Sequence, residues 1–445
     1  MSVIQPQIIF PKNLEELSVN PFVDYWLKWV NFASRYNFVF FDASLKAFET
    51  FLNIRDGTAK KIQNTVRSSF DTAIRDSLND EELISSMTDY VDSWLKLVGL
   101  SGRKQFGVYF LNLVSYVNKI LDPLRDNLNR TPSEIIEMKG RFHLHHYKSE
   151  VPSKHKTPLL VVYSLINRHY ILDLLPKVSV IKNLQNQGFD VFTTDWETSA
   201  AYDKDLTLAT YAEEYLENAV EKIKEITGFE KVSLFGYCWG GLFALIYCAT
   251  NPSNVKNVVL HATPVDVEKE ETVIENWAGH LNADGLVDTI GNVPGWLLNL
   301  TFVLRNPIES ILKYPRYFSE PRNIDEIKQF FAIEGWLYDS RPIIGEVYRE
   351  ILDQVYKKNL LIKNQMKVGT DIINLKNITV PVLDIVGTTD DLVPPSASKS
   401  VMDAIGSTDK KLIEFPTGHV GLCISHEAHE KLWPEVGKWL AQRSC

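Results

Sequence analysis

From about residue 137 onward, the chain alternates short β-rich apolar runs with helical stretches, and this alternation restricts the possible fold strongly. Continuous apolar strands separated by helices are typical of a parallel sheet covered by helices on both faces. The predicted strands are Leu159–Tyr163, Asp190–Thr194, Lys231–Gly236, Val255–His261, Val380–Gly387 and Lys411–Phe415. Helix candidates between them include Leu208–Ile226 and Gly240–Thr250. The sequence therefore predicts an α/β fold with a mostly parallel sheet.

Two regions depart from this alternation. Residues 1–135 show the apolar spacing of amphipathic helices, so we expect a helical N-terminal region. Its aromatic-rich face either packs on its own core or docks a partner or an apolar surface. Residues 136–445 are the predicted α/β domain. Within it, the interval 263–372 is mostly helical and rich in Trp, Leu, Pro and Tyr, which favours an insertion that covers a site as a lid.

Composition excludes several classes of protein. Of the 445 residues, 45% are hydrophobic and 23% charged, which is enough apolar material for a core and excludes global disorder. A net charge of −9 makes a nucleic-acid partner an unfavoured interpretation. Four cysteines in a chain of this length are not a disulfide framework. We find neither a signal sequence nor a transmembrane run, and we expect a cytoplasmic protein with reduced thiols.

The segment Gly236-Tyr237-Cys238-Trp239-Gly240 follows one predicted strand and precedes a predicted helix. This is the context of a nucleophile elbow, with Cys in the place of the usual Ser. The nucleophile of an elbow lies on a strained turn, and the residues two before and two after it come so close that only Gly fits. The following helix N-terminus favours a thiolate and can hold an oxyanion. Cys238 is therefore the predicted nucleophile, and a buried structural Cys is the alternative.

A thiol with its ordinary pKa needs a base at neutral pH. In elbow folds the acid and then the His follow the nucleophile along the chain. His419 lies between glycines after the last predicted strand, and Asp390 and Asp391 follow the strand before it. Both loops fall on the edge of the sheet where ligands bind. We select Asp390 because it comes first after the strand turn, and Asp391 is then a solvated loop charge.

The other His and Cys residues have weaker signals. His261 ends a strand and remains an alternative near the site. A polar run, His143, His145 and His146, is expected at the surface, and since no Cys or carboxylate lies at ligand spacing in the sequence, no metal site is predicted. The cysteines expected to be structural are Cys248, Cys423 and Cys445.

Several segments outside the elbow resemble, together with it, the segments of one known protein family. They are TPSE (131–134), PLLVVYSLINRHYILDL (158–174), GFDVFTTDW (188–196), HATPVD (261–266) and EGWLYDSRPIIGEVYREILDQVYKKNLLIKNQ (334–365). Together with the Cys, Asp and His segments, they resemble polyhydroxyalkanoate synthases of the short (class III) type, which work with a separate helical partner subunit. The resemblance implies an α/β-hydrolase fold over most of 131–445.

The resemblance also implies roles for individual residues. Cys238 is the expected acyl-accepting nucleophile, His419 the general base and Asp390 the third member of the triad. Backbone amides of Trp239 and of the Ile166–Asn167 turn are expected to hold the oxyanion. The family usually has His after the triad Asp, and Asp391 departs from that pattern.

The activity implied is polymerisation of (R)-3-hydroxyacyl-CoA, with 3-hydroxybutyryl-CoA as the expected substrate, and release of CoA without a cofactor. The partners implied are the growing polyester, a cytoplasmic storage-granule surface, a second copy of the chain and a helical subunit. A thioesterase or esterase of the same fold and an inactive granule-surface scaffold remain alternatives. Water must be excluded during polymerisation, and the lid aromatics expected to exclude it are Trp277, Trp296, Trp336 and Tyr338.

Overall fold

The computed structural model describes residues 130–149, 152–197, 203, 206–270, 272–306, 317, 324–337 and 339–444. Residues 1–129 of the predicted helical N-terminal region lie outside this part of the chain.

Eight strands form one sheet around which the described domain is built. They are β1 (Ser133–Lys139), β2 (Phe142–Tyr147), β3 (Leu159–Val162), β4 (Val191–Trp196), β5 (Val232–Tyr237), β6 (Val255–His261), β7 (Val382–Gly387) and β8 (Lys410–Phe415). Their order across the sheet is β1-β2-β4-β3-β5-β6-β7-β8. The β1–β2 and β2–β4 pairs are antiparallel and the others parallel. The mostly parallel sheet predicted from the sequence is therefore confirmed.

The inner strands are apolar runs because helices cover both of their faces. Every residue of β3, β4, β5 and β7 is buried. The predicted bounds of these four strands lie within one or two residues of the observed bounds, and the predicted bounds of β6 are identical to the observed ones. The sequence analysis did not predict β1 and β2. Along β2, buried apolar residues alternate with half-buried histidines, as is typical of a strand with one half-exposed face, whereas β1 has no buried residue.

Twelve α-helices lie in the described residues. They are α1 (Val180–Asn186), α2 (Leu216–Thr227), α3 (Trp239–Thr250), α4 (Val273–His280), α5 (Ala283–Ile290), α6 (Gly295–Arg305), α7 (Ile324–Leu337), α8 (Gly345–Ile351), α9 (Pro395–Lys399), α10 (Val401–Ala404), α11 (Gly421–Ile424) and α12 (Trp433–Ala441). Single turns of 3₁₀ or π geometry are His169–Leu172, Thr210–Tyr215, Pro252–Asn254, Leu352–Lys357, Leu375–Asn377 and Ala428–Leu432. Two short ladders pair Asp173–Leu175 with Val178–Ser179 and Lys367–Val368 with Asp371–Ile372.

Helix α3, which directly follows Cys238, is almost completely buried. All its residues from Trp239 to Ala249 are buried, as expected for a helix that is apolar on every side. Helices α4 to α8 fill much of the interval between β6 and β7, where an insertion was predicted. No helix in the described part of the chain has both the length and the apolar character required to cross a bilayer.

The parallel strands place four loop or strand ends at one edge of the sheet. Cys238 directly follows β5, and His261 ends β6. Asp390 follows β7, and His419 follows β8. Since the carboxyl ends of parallel strands meet at this edge, residues far apart in the sequence come together there.

Candidate active site

The backbone at Cys238 has the strained geometry of a nucleophile elbow. Its φ of 53° and ψ of −122° lie where non-glycine residues are rare. A Cβ atom on Gly236 would lie 2.4 Å from the Gly241 Cα, and one on Gly240 would lie 2.0 Å from the Val162 carbonyl oxygen. The turn therefore requires glycine both two residues before and two residues after Cys238, as the sequence spacing predicts.

His419 and Asp390 meet in a buried contact beside the elbow. His419 Nδ1 lies 2.7 Å from Asp390 Oδ2, and the other carboxylate oxygen accepts the amides of Leu392 and Val393 at 2.9 and 2.8 Å. These amides fix the carboxylate, which in turn orients the imidazole. The Asp391 side chain is 70% exposed and pairs instead with Arg305, Nη1 to Oδ2, at 2.5 Å. Of the two adjacent carboxylates, only Asp390 faces His419.

The charge state of His419 follows from its neighbours. Burial alone would lower its pKa, but the Asp390 carboxylate and a hydrogen bond with Cys238 outweigh burial and raise the pKa of His419 to about 10. A protonated imidazole beside Sγ attracts a thiolate. The geometry thus brings a thiol, an imidazole and a carboxylate together at one edge of the sheet.

His261 lies close by, but in a different environment. Its ring centroid is 4.7 Å from that of Tyr237 and 5.5 Å from that of Trp433. Neither of its ring nitrogens has a hydrogen-bond partner in the described part of the chain. Burial, aided by repulsion from His419, lowers the pKa of His261 well below its usual range. His261 is therefore a neutral core residue, and its contribution at the elbow is the carbonyl that accepts the Cys238 amide at 2.9 Å.

Two backbone segments border Cys238 where an oxyanion would form. Trp239 begins α3, so its amide has no acceptor within the helix. Across the elbow, Asn167 has a left-handed φ of 59°. The Ile166 amide donates to Ser164 Oγ at 3.2 Å within the same turn, so Trp239 and Asn167 are the candidates with which an oxyanion can interact.

A cavity of about 740 Å³ opens over Cys238 and His419. Its lining is largely apolar and aromatic, and it includes Trp277 and Trp336 from α4 and α7. Among its described lining residues, Arg305 is the one Arg or Lys and Asp391 the one carboxylate. An acyl chain would therefore meet an apolar wall, whereas an anionic group would meet Arg305.

The insertion is fastened to the turn at Asn167 and Arg168 by hydrogen bonds. Trp336 is 5% exposed, and its indole nitrogen donates to the Arg168 carbonyl at 2.8 Å. The Asn167 amide side chain donates to the Trp336 carbonyl at 3.2 Å. Trp277 lines the cavity but remains 41% exposed. The side chain of Trp296 and all of Tyr338 lie outside the described residues.

Tyr356 is a cavity residue that the sequence analysis did not identify. Its hydroxyl accepts a hydrogen bond from the Trp239 indole at 3.0 Å. This contact joins the insertion to Trp239, the residue that follows Cys238. Helical apolar spacing around residue 356 marks a buried face, but gives no sign of which residue that face contacts.

One group of possible metal ligands lies away from the cavity. His143, His145 and Asp195 each offer a ligand atom within 4.8 Å of the others. The prediction that these histidines lie at the surface without a nearby carboxylate is wrong. The side chains of His143 and His145 are half-buried, and the pairing of β2 with β4 places Asp195 opposite His143.

The family model that matches most of the described domain agrees with this architecture, and known proteins are similar to the chain. Residues 157–423 match the model of the alpha/beta hydrolase fold, and residues 116–184 match that of the poly-beta-hydroxybutyrate polymerase (PhaC) N-terminus. A poly(3-hydroxyalkanoate) polymerase subunit PhaC of Haloferax mediterranei is 37% identical over 321 residues, which cover 72% of this chain and 65% of that protein. The PhaC subunit of Allochromatium vinosum is 35% identical over 316 residues, covering 70% of this chain and 89% of that protein. Among solved structures, a monoacylglycerol lipase from Paleococcus ferrophilus aligns over 67% of this chain and 99% of its own, with 20% identity and a TM-score of 0.42.

Proposed function

This chain belongs to the poly(3-hydroxyalkanoate) polymerase family, and on that basis we propose that it polymerises (R)-3-hydroxyacyl-CoA through an acyl-enzyme on Cys238. The observation that carries the proposal is the buried contact of 2.7 Å between His419 and Asp390 beside the elbow Cys. The proposed roles are nucleophile for Cys238, general base and acid for His419, and orienting carboxylate for Asp390.

Acylation begins from the ion pair in which the Cys238 proton has already passed to His419. The thiolate attacks the thioester carbonyl, and the new carbon–sulfur bond forms at Sγ. As the tetrahedral intermediate collapses, the bond to the CoA sulfur breaks, and His419 gives its proton to the departing thiolate, which leaves as the CoA thiol. Asp390 keeps the ring oriented and stabilises its charged form. One thioester replaces another, so the acyl group is loaded without a large change in bond energy.

The developing oxyanion would be held by the Trp239 amide and an amide of the Asn167 turn. Loss of one such donor typically lowers a rate by about 10²–10³-fold. The hydrogen bonds from Asn167 and Trp336 support this assignment because they fix the turn against the insertion.

Elongation uses the same residues with a different nucleophile. The hydroxyl of a second hydroxyacyl group attacks the Cys238 thioester, and His419 accepts the hydroxyl proton. An ester bond forms, and the carbon–sulfur bond to Cys238 breaks. The released thiol can then accept the next acyl group, so repetition lengthens the polyester.

Water competes with the hydroxyl for the acyl-enzyme, and a wet site would act as a thioesterase. The largely apolar cavity and the fastening of Trp336 to the Arg168 carbonyl support exclusion of water. We propose the insertion as the element that keeps the acyl-enzyme dry.

Arg305 is the proposed contact for the CoA part of the substrate. CoA carries phosphates, and Arg305 is the one Arg or Lys among the described residues that line the cavity. Its present partner, Asp391, is mostly exposed, so a phosphate could take its place. A helical partner subunit, a second copy of the chain and a polyester granule are the further partners we propose.

The function is tested with purified full-length protein and (R)-3-hydroxybutyryl-CoA. Free thiol and turbidity are followed together for the native chain, for Cys238→Ala and for Cys248→Ala. Cys248 is a matched control because it is a second buried thiol, inside the helix that Cys238 precedes. A Cys238-dependent polymerase releases CoA and forms insoluble polymer, and only Cys238→Ala loses both.

Two other outcomes would overturn the proposal. CoA release with free 3-hydroxybutyrate and no polymer would assign a thioesterase. No CoA release from longer acyl chains, even with a co-expressed helical subunit, would favour the inactive scaffold.

A further inference from the structure

A second cluster of reactive side chains lies at the β2–β4 side of the sheet. His143 and His145 are two residues apart on β2, so both side chains point to the same face. Asp195 lies opposite His143 on the neighbouring β4. None of the three lines the cavity over Cys238. The cluster is therefore a separate feature of the fold.

The spacing of its ligand atoms suits one metal ion. His145 Nε2 lies 3.8 Å from Asp195 Oδ2, and one ligand atom of each residue lies within 4.8 Å of the others. Nitrogen and oxygen ligands about 2.1 Å from a tetrahedral zinc ion lie roughly 3.4 Å apart. Small side-chain adjustments would bring all three atoms to one ion.

The two oxygens of Asp195 have different neighbours. Oδ1 lies 3.0 Å from Arg341 Nη1 and 3.2 Å from His169 Nδ1. Oδ2 is the oxygen that faces His145. Arg341 itself also lies 3.4 Å from Glu197, whose charge offsets that of the guanidinium. One carboxylate oxygen is thus held in place while the other faces the cluster.

A buried nitrogen in the cluster lacks a hydrogen bond. His145 Nε2 is shielded from solvent and has no hydrogen-bond partner among the described residues. Leaving such a group unsatisfied is unfavourable, and native structures rarely do so without water or an ion. A metal ion bound at Nε2 would satisfy it.

From these observations we propose that His143, His145 and Asp195 form a site for a divalent transition metal, with zinc as the favoured ion. Two imidazoles and one carboxylate are a nitrogen and oxygen donor set that suits zinc. A water molecule completes the tetrahedron. Arg341 acts as the outer partner that orients the Asp195 carboxylate.

The site would join three elements of the structure. Its ligands come from β2 and β4, and His169, whose Nδ1 lies 3.2 Å from Asp195 Oδ1, begins the turn that follows the Asn167 segment. Bound metal therefore stabilises this side of the sheet next to the Asn167 turn. Metal binding consequently raises the melting temperature of the full chain.

The test uses full-length protein that has been treated with a chelator and dialysed. Cobalt(II) replaces zinc because its visible absorption reports tetrahedral nitrogen and oxygen ligands. We expect one cobalt ion per chain, displaced by zinc. His145→Gln should weaken binding by more than the ~10–100-fold that loss of an outer partner typically costs. Cys238→Ala should bind cobalt like the native chain, which excludes Cys238 as a ligand.

His146→Gln is the matched control. His146 is adjacent on β2 but points to the opposite face, where its Nε2 lies 2.7 Å from Asp190 Oδ1. It should bind cobalt as the native chain does. Should His145→Gln fail to give a native circular-dichroism spectrum, His143→Gln takes its place. Absence of binding by the native chain, or equal binding by the ligand variants, would overturn the proposal.

Discussion

His419 and His261 lie at the same edge of one sheet, and both are buried next to the Tyr237 ring. Asp390 faces His419 and raises its pKa to about 10 despite its burial. His261 faces aromatic rings and carries no carboxylate contact, so burial lowers its pKa. Burial at this edge of the sheet therefore does not by itself make a base. A fixed opposite charge does, and here it comes from the loop after β7.

The largest effect on activity should appear when each of the two histidines is replaced in a separate variant. His419→Gln removes the proton acceptor and should lower kcat/KM for CoA release by about 10³-fold or more. His261→Asn should leave kcat/KM within about threefold, because its side chain lies behind the site. Initial rates of thiol release measure both. Comparable losses in two folded variants would contradict the distinction between them.

A smaller but still large effect should separate the two adjacent carboxylates. Asp390→Asn removes the charge that orients and stabilises the His419 ring, and kcat/KM should fall by about 10²–10⁴-fold. Asp391→Asn is the matched control, since its carboxylate contacts Arg305 instead of His419. Its kcat should change by less than about threefold. A greater loss of kcat in Asp391→Asn than in Asp390→Asn would exchange the two roles.

The two histidines should also give opposite pH dependences of stability. The raised pKa of His419 contributes stability that is fully present below about pH 6.5 and is lost as the pH rises through about 10. The free energy of unfolding of the native chain minus that of Asp390→Asn should therefore fall by up to about 1.4 kcal/mol per pH unit in that window. Urea unfolding at a series of pH values measures this difference.

For His261 the sign is reversed. Its folded pKa lies below the unfolded value, so the unfolded chain takes up the proton first as the pH falls below about 6.5. The native chain should lose stability there relative to His261→Asn. If the difference in unfolding free energy between the native chain and Asp390→Asn did not change with pH, His419 would not have the assigned environment. The same result for His261→Asn would contradict the environment assigned to His261.

The smallest effect should be on substrate binding at the mouth of the cavity. Arg305→Gln should raise KM for the CoA thioester by about 3–10-fold with little change in kcat, because it removes ground-state and transition-state binding equally. Asp391→Asn should instead lower KM, since it frees Arg305 from its present partner. Michaelis curves at two salt concentrations check both signs. An unchanged KM in Arg305→Gln would exclude Arg305 as the phosphate contact.

Sequence reasoning worked best where one short segment determines the geometry. The glycines around Cys238 are required by contacts within the elbow and with β3, and the strand, turn and helix follow one another directly along the chain. The Asp390 and His419 loops could be placed because parallel strands end at one edge. Their roles in catalysis remain predictions that the experiments above address.

Sequence reasoning failed where two side chains meet only through the pairing or packing of distant segments. Asp195 reaches His143 only through the antiparallel β2–β4 register, which the alternating polar residues of β2 did not suggest. The contact of Tyr356 with Trp239 likewise depends on how the insertion folds back over the elbow. Periodicity identifies a buried face in such segments, but it carries no information about the partner.

The most direct test of the account is to trap the acyl-enzyme. Full-length protein is mixed with less than one equivalent of (R)-3-hydroxybutyryl-CoA, quenched in acid within seconds, digested and analysed by mass spectrometry. If Cys238 is the nucleophile, one hydroxybutyryl group is expected on the peptide that contains Cys238, and it should form more slowly in His419→Gln. An acyl group on another residue, or CoA release by Cys238→Ala at the native rate, would contradict it.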